Sequence, residues 1–174
     1  YPIPVFAEMG SVNPVFILDT SNLSLTDLAK RITRSVCNDR GQFCTKPGVI
    51  FIPNSDEGKD LCALLKKNIS SYESGVMLHP NMREQFELKI SAIEKSNPQF
   101  IRNDKKENHH VSNCLLIIHE NDYKGQSLLT TEVFGPFVSL VLYNDYNGLE
   151  NHLNDLEGQL TCSFFSGENT NHLP

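Results

Sequence analysis

Short runs of consecutive apolar residues alternate along this chain with longer segments of helical periodicity. The runs are too short for helices and are rich in Val, Ile, Leu and Phe, as buried strands are. They predict strands at 15–18, 48–53, 114–119, 138–143 and 160–165. Helices are predicted where apolar residues recur every three or four positions, at 22–36, 56–69, 81–95 and 146–156. Strands without polar alternation, separated by helices, indicate an α/β fold of three αβα layers around a mostly parallel sheet.

Two details of this prediction concern single segments. Asn81, after Pro80, is expected to cap the third helix. The polar stretch 96–112 is typical of an exposed connection, and we expect no regular structure there.

Length and charge limit the classes of protein to which the chain can belong. Its 174 residues, 39% of them hydrophobic, suit one core, so we expect a single domain over 1–174. The 15 Lys and Arg residues are outnumbered by 21 Asp and Glu residues, which argues against a nucleic-acid partner. No apolar run approaches the roughly 20 residues of a membrane span, and the first residues lack a signal-peptide pattern. We therefore expect a cytoplasmic protein without a membrane partner.

The five cysteines are spread along the chain without a C-x-x-C pair, so neither a zinc site nor a disulfide framework is expected. Cys44 lies on a polar loop between a predicted helix and a predicted strand. The other four lie in apolar or helical contexts and are expected to be small buried hydrophobes: Cys37, Cys62, Cys114 and Cys162.

Three segments carry residues that packing alone does not explain, namely 6–14, 41–45 and 132–136. They contain E-x-G-x-x-N-P, G-Q-F-C-T and E-x-F-G-P in that order. In this order and spacing they resemble the signatures of the aldehyde dehydrogenase superfamily. The longer G-Q-F-C-T-x-P-G string and the run 156–161 are similar to the 2-oxoglutarate semialdehyde (2,5-dioxovalerate) dehydrogenase branch. Arg40 departs from that branch, which usually has a small residue before this glycine.

The resemblance implies a role for four side chains. Cys44 would be the nucleophile that attacks an aldehyde carbonyl, and Glu8 the general base that activates water to hydrolyse the resulting thioester. Glu132 would bind the nicotinamide ribose, and Phe134 would pack beside the nicotinamide ring of NAD or NADP. Gly10, Gly41 and Gly135 are expected to mark tight backbone turns.

The resemblance also implies that a domain is missing, because no glycine-rich strand-to-helix turn for a dinucleotide occurs in the sequence. The chain would be the cysteine-bearing catalytic domain without its nucleotide-binding half. We expect it to bind NAD(P) poorly and to be inactive by itself. The parent enzyme would be a homo-oligomer that acts on a small aldehyde.

Two other functions remain open from the sequence. In the first, Cys44 is the nucleophile of a cofactor-free cysteine hydrolase whose base is Glu8, His109 or His110. In the second, the chain is a non-catalytic relic or assembly module that keeps the fold.

The adjacent histidines His109 and His110 invite a metal hypothesis, with Glu107 or Cys114 nearby. Their spacing matches no established ligand set, so we expect solvated histidines and no metal.

Overall fold

The computed structural model describes residues 2–5, 10–104, 107–122, 130–154 and 156–167. They form one six-stranded sheet in the order β3-β4-β5-β2-β1-β6. Its strands are β1 (Val15–Ile17), β2 (Val49–Pro53), β3 (Phe100–Arg102), β4 (Cys114–His119), β5 (Phe137–Tyr143) and β6 (Ser163–Phe165). Every neighbouring pair is parallel except β3 and β4. The predicted mostly parallel sheet is confirmed.

Helices cover both faces of this sheet. They are α1 (Leu25–Cys37), α2 (Asp56–Ser71), α3 (Pro80–Ser96) and α4 (Tyr146–Asn154). One buried cluster joins α1 and α2 to the side chains of one sheet face, such as Ile50 and Leu140. A second cluster joins α3 and α4 to the opposite face, where Phe51 and Val141 point. Successive strand residues belong to opposite clusters because side chains alternate across a strand. Helices packed on both faces give the predicted three αβα layers.

The burial of β5 explains its position in the interior of the sheet. All seven of its residues are buried, so it needs a strand on each edge and a helix on each face. It pairs in parallel with β2 on one side and with β4 on the other.

Two helix starts differ from the prediction because the capping residues differ. α1 begins at Leu25, three residues later than predicted, since the Ser24 hydroxyl accepts from the Asp27 N–H and fixes the start there. α3 is capped by His79 rather than Asn81, whose N–H donates to His79 Nδ1 over 3.2 Å. Pro80 occupies the first helical position, where a missing N–H costs nothing.

The expectation for 96–112 is wrong, because this segment contains β3. The strand is an antiparallel edge only three residues long, which is too short to show a pattern in the sequence. Arg102 fixes it to α3 by ion pairs with Glu87 and Glu94.

Among the described residues no helix combines the length and the apolar content that a bilayer crossing requires.

Candidate functional site

The candidate site lies along the amino edge of the sheet, where the parallel strands β1, β2, β5 and β6 all begin. Gly10–Asn13 precede β1, Cys44 precedes β2, and Glu132–Pro136 precede β5. These three strands are neighbours in the sheet, so segments far apart in sequence meet at one edge. Glu8 lies outside the described residues.

Cys44 is exposed on the loop between α1 and β2, as predicted. A 3₁₀ turn (Asn38–Gly41) leads into this loop, and Asp39, Arg40 and Gly41 all have a positive φ. The loop then turns through a hydrogen bond from the Lys46 N–H to the Phe43 carbonyl. A short, strongly turned connection therefore presents the thiol to solvent at the edge of the sheet.

The side chain of Asn13 fixes the backbone of this loop. Its buried side-chain amide donates to the carbonyl oxygens of Cys44 (2.8 Å) and Lys46 (3.0 Å). The residue has a φ of 46°, a left-handed conformation that Asn tolerates better than most residues, and Pro14 follows it. Asn13 thus fixes the backbone on both sides of Thr45.

Asn13 is fixed in turn by the segment before β6. Its Oδ1 accepts from the Thr161 N–H (3.2 Å) and the Thr161 hydroxyl (3.1 Å). Gln159 Oε1 accepts from the Val12 N–H over 2.7 Å and from the Ser11 hydroxyl over 2.9 Å. These hydrogen bonds tie residues 159–161 to the segment before β1. The strand β6 begins after them, at Ser163 rather than at residue 160. Sequence reasoning missed these positioning roles of Asn13 and Gln159, although both lie in motif segments.

The loop of Cys44 and the segment before β5 touch through two glycines. A Cβ on Gly41 would lie less than 3.0 Å from the Gly135 carbonyl group, and one on Gly135 would collide with the Phe86 ring. Gly10, Gly41 and Gly135 have φ values of 140°, 64° and 144°, so the predicted tight turns are confirmed. Arg40, the departure from the family pattern, lies with its guanidinium against Gly75, where a Cβ would leave no room for it.

Glu132 and Phe134 are both half-buried beside this contact. Glu132 Oε2 lies 3.4 Å from the position that a Cβ on Gly10 would occupy. The Glu132 carbonyl accepts a hydrogen bond from Lys89 Nζ (2.9 Å). Phe134 lines a cavity of about 230 Å³ together with residues of α3, including Met82 and Gln85. The structure therefore gathers Cys44, Glu132 and Phe134 at one edge of the sheet, while the predicted role of each stays a prediction.

Lys46 is a buried cation two residues after Cys44. It is 4% exposed, and its Nζ donates to the Phe137 carbonyl at the start of β5 (2.8 Å). Burial lowers the pKa of Lys46 to about 8, against the opposing influence of Glu132 and Cys37. Sequence reasoning missed this residue, because a lysine on a polar loop gives no sign of being buried.

All five cysteines lie in the described part of the chain and none of them forms a disulfide bond, but they differ in exposure. Cys37, Cys62 and Cys114 are buried as predicted, and burial raises the pKa of the Cys37 thiol to about 12. The prediction for Cys162 is wrong, because it is exposed. It precedes the edge strand β6, whose residues Ser163 and Phe164 are also exposed, so its apolar sequence context does not mean burial.

The histidine pair forms a cluster with Glu107. His109 Nε2 lies 2.9 Å and His110 Nε2 lies 3.8 Å from Glu107 Oε2. The His110 side chain is only 16% exposed, and its Nδ1 lies 3.2 Å from the Ser74 hydroxyl. His110 is therefore not the solvated residue that the sequence suggested. The absence of a metal stays a prediction for this cluster, whose ligand atoms lie within 4.8 Å of one another.

Comparison with known proteins adds a family match. The model of the aldehyde dehydrogenase family matches residues 2–173. An alpha-ketoglutaric semialdehyde dehydrogenase of Acinetobacter baylyi is 28% identical over 96% of this chain and 33% of its own length. Another, from Azospirillum brasilense, is 25% identical over 93% of this chain and 32% of its own. The chain thus spans about a third of the length of these curated relatives.

Solved structures share the fold. The NADP-dependent glyceraldehyde-3-phosphate dehydrogenase of Bacillus halodurans, complexed with NADP, matches with a TM-score of 0.73 and 20% identity, over 91% of this chain and 34% of its own. The 1-pyrroline-5-carboxylate dehydrogenase from Thermus, with bound NAD, matches with a TM-score of 0.75 and 16% identity, over 94% of this chain and 33% of its own. At these identities the likeness concerns the fold.

Proposed function

The chain belongs to the aldehyde dehydrogenase family, and from that premise we propose that residues 1–174 are the cysteine-bearing catalytic domain of an NAD(P)-dependent enzyme. The parent enzyme oxidises a small aldehyde to a carboxylate. Its nucleotide-binding half lies in the part of the enzyme that this chain does not contain. The names of the curated relatives favour 2-oxoglutarate semialdehyde as the substrate.

One observation carries the proposal: an exposed cysteine, whose backbone carbonyl accepts a hydrogen bond from the Asn13 side chain, lies at the same sheet edge as Glu132 and Phe134. Catalysis by a nucleophile needs a reactive atom that is accessible and fixed in position. The bonds from Asn13 to the carbonyls of Cys44 and Lys46 supply that fixation. Cys37, Cys62 and Cys114 are buried and therefore inaccessible to a substrate.

In the proposed reaction the Cys44 thiolate adds to the carbonyl carbon of the aldehyde. A C–S bond forms, the carbonyl π pair moves to oxygen, and a thiohemiacetal anion results. No described residue accepts a hydrogen bond from the Cys44 N–H, so this N–H can donate to the new oxyanion. NAD or NADP, when bound, supplies the acceptor for the hydride that leaves the thiohemiacetal carbon.

The second half of the reaction releases the product. Glu8 takes a proton from water while the water oxygen attacks the thioester carbon, and the C–S bond breaks to return the Cys44 thiolate. The role of Glu8 rests on its place in the E-x-G-x-x-N-P segment.

The residues present fit a nicotinamide nucleotide at this edge. Glu132 Oε2 lies 3.4 Å from the position that a Cβ on Gly10 would occupy, so with glycine there no side chain of residue 10 comes between this carboxylate and a ligand. Glu132 would accept hydrogen bonds from the ribose hydroxyls, and Phe134 would pack against the nicotinamide ring. Because the remaining contacts of the dinucleotide lie outside this domain, the isolated chain binds it poorly.

The test is NAD(P)H formation by the full-length protein that carries this chain. It is offered 2-oxoglutarate semialdehyde with each cofactor in turn, and Cys44→Ser is compared with the matched control Cys162→Ser. Turnover that Cys44→Ser abolishes and Cys162→Ser retains is the expected result. The proposal is overturned if the folded full-length protein oxidises neither this aldehyde nor simpler ones. That result would favour the interpretation of the chain as a non-catalytic relic or assembly module. Ester hydrolysis that needs His109 or His110 but no cofactor would favour the hydrolase.

A further inference from the structure

The side chain of Lys46 joins the sheet at the point where the backbone ladder between β2 and β5 stops. In this parallel pair the Ser139 N–H of β5 donates to the Gly48 carbonyl over 2.9 Å. A regular parallel ladder would continue from the Gly48 N–H to the carbonyl of Phe137. The Gly48 N–H donates instead to the Val12 carbonyl over 2.7 Å, so it is not available to Phe137.

The ammonium of Lys46 takes the place of this ladder donor. Its Nζ donates to the Phe137 carbonyl over 2.8 Å, and the residue is buried. A buried carbonyl without a donor costs free energy, and a hydrogen bond from a charged donor is stronger than one from a neutral N–H. The side chain therefore links the loop of Cys44 to Phe137, the first residue of β5.

The two ends of Lys46 belong to different parts of the candidate site. Its backbone is part of the loop, two residues after Cys44, where its carbonyl accepts a hydrogen bond from the Asn13 amide over 3.0 Å. Its Nζ reaches Phe137, which directly follows the motif segment 132–136. One side chain thus connects the segment of the candidate nucleophile to the segment of the candidate cofactor contacts.

Electrostatic attraction adds to this link. Burial lowers the pKa of Lys46 to about 8, and the Glu132 carboxylate opposes that shift because it favours the charged lysine. With this pKa the ammonium carries its charge at pH 7. Lys46 therefore acts on the 132–136 segment both by a hydrogen bond to the residue that follows it and by attraction of Glu132.

We propose that Lys46 is a positioning residue that fixes Glu132 and Phe134 relative to Cys44 by holding the first residue of β5 to the loop. The thiol and the cofactor contacts come from segments far apart in sequence, so their separation depends on the hydrogen bonds that join these segments. Lys46 acts through the two segments rather than on the reacting atoms. This inference rests on the proposed function and deepens it by naming the residue that aligns the cofactor contacts with the nucleophile.

The first experiment needs no turnover. Hydrogen–deuterium exchange of the full-length protein is followed by mass spectrometry in the wild type and in Lys46→Met, which keeps an unbranched apolar stem but cannot donate. Exchange in the peptide 134–139 rises about tenfold, because the start of β5 loses its hydrogen bond to the loop. Exchange in the peptide 42–48 changes by less than about twofold, because the hydrogen bonds from Asn13 still hold the loop.

Lys59→Met is the matched control, since Lys59 is an exposed lysine of α2 that pairs with Asp56 over 3.7 Å. It should exchange like the wild type in both peptides. Unchanged exchange at 134–139 in Lys46→Met overturns the inference. An equal rise at 61–69 of α2 also overturns it, because that result means a general loss of stability. If Lys46→Met does not fold, Lys46→Gln, with an uncharged donor on a shorter side chain, is measured in the same way with the same expectation.

The second experiment separates cofactor binding from the reactivity of the thiol. In Lys46→Met the KM for NAD(P) rises about tenfold, whereas iodoacetamide alkylates Cys44 at a rate within about twofold of the wild type. An unchanged KM, or an alkylation rate that changes as much as the KM, overturns the positioning role. If exchange at 134–139 rises as expected but the wild type oxidises no aldehyde, the link through Lys46 stands and the proposed function fails.

Discussion

The side-chain amide of Asn13 donates a hydrogen bond to the backbone carbonyl of Cys44 over 2.8 Å. This single contact joins residues 31 positions apart, and the same amide group reaches Thr161 through its oxygen. The loop of the candidate nucleophile is therefore held between the segments that precede β1 and β6. Its geometry depends on the whole amino edge of the sheet rather than on the loop alone.

Asn13→Asp tests this dependence, because aspartate has nearly the same shape but cannot donate. The carbonyls of Cys44 and Lys46 lose their donor and face a negative charge. We expect a loss of about 1–3 kcal/mol in the free energy of unfolding and a slower alkylation of Cys44. Urea unfolding and iodoacetamide kinetics measure the two effects.

The control for Asn13→Asp is Asn151→Asp, the same change at an exposed position of α4. It should leave both the stability and the Cys44 rate near the wild-type values. Equal behaviour of the two variants would mean that Asn13 does not position the loop.

Gly41→Ala tests the contact between the two motif segments. The substitution adds a Cβ in a backbone with a φ of 64° and forces it against the Gly135 carbonyl group. The left-handed backbone alone costs about 1–3 kcal/mol, and the collision adds to it. The denaturation midpoint should fall clearly. Gly158→Ala is the matched control, with nothing within 4 Å of the added methyl group, and a similar fall there would contradict the steric explanation.

Thiol accessibility tests the assignment of Cys44 and Cys162 to the surface. The native chain should react with Ellman's reagent at these two cysteines quickly, and at Cys37, Cys62 and Cys114 only after unfolding. Burial also raises the pKa of the Cys37 thiol to about 12, which keeps it protonated and unreactive at neutral pH. Peptide mapping identifies the sites. Rapid reaction at Cys37 or Cys114 in the folded protein would contradict the packing of α1 and β4.

The sequence predicts the elements of this fold well, because periodicity and uninterrupted apolar runs report burial directly. It predicts the long strand β5 and the helices α2 and α3 to within two residues. It misses β3, which has three residues and owes its place to pairing with β4 and to the Arg102 ion pairs with α3.

The site is predictable only where a motif marks it. The motifs single out Cys44, Glu132 and Phe134, and the topology brings their segments to one edge of the sheet. The positioning roles of Asn13 and Gln159 depend on hydrogen bonds between residues 31 to 148 positions apart, which no local pattern encodes. The burial of Lys46 is equally non-local, because it arises from the approach of β5.

Lys46 gives the stability of the protein a specific pH dependence. Its pKa is lowered from 10.5 to about 8 in the folded state by burial. Below pH 8 both the folded and the unfolded chain carry the charge, and burying it costs about 3 kcal/mol. Between pH 8 and 10.5 the folded lysine is neutral while the unfolded one is still protonated, so this cost disappears as the pH rises. Lys46 therefore makes a contribution that grows more favourable from pH 8 to 10.5.

Lys46→Met isolates this contribution from other titrations. Cys37 works in the opposite direction, since its raised pKa makes the folded state lose stability as the pH rises above 9, and Lys46 itself lowers the Cys37 pKa. The two proteins are therefore compared only up to pH 9, below which Cys37 is mostly protonated in both states. The difference in free energy of unfolding, wild type minus Lys46→Met, should increase from pH 7.5 to 9. Urea unfolding of both proteins at several pH values measures it. A difference that stays constant over this range would mean that Lys46 keeps an ordinary pKa in the folded chain.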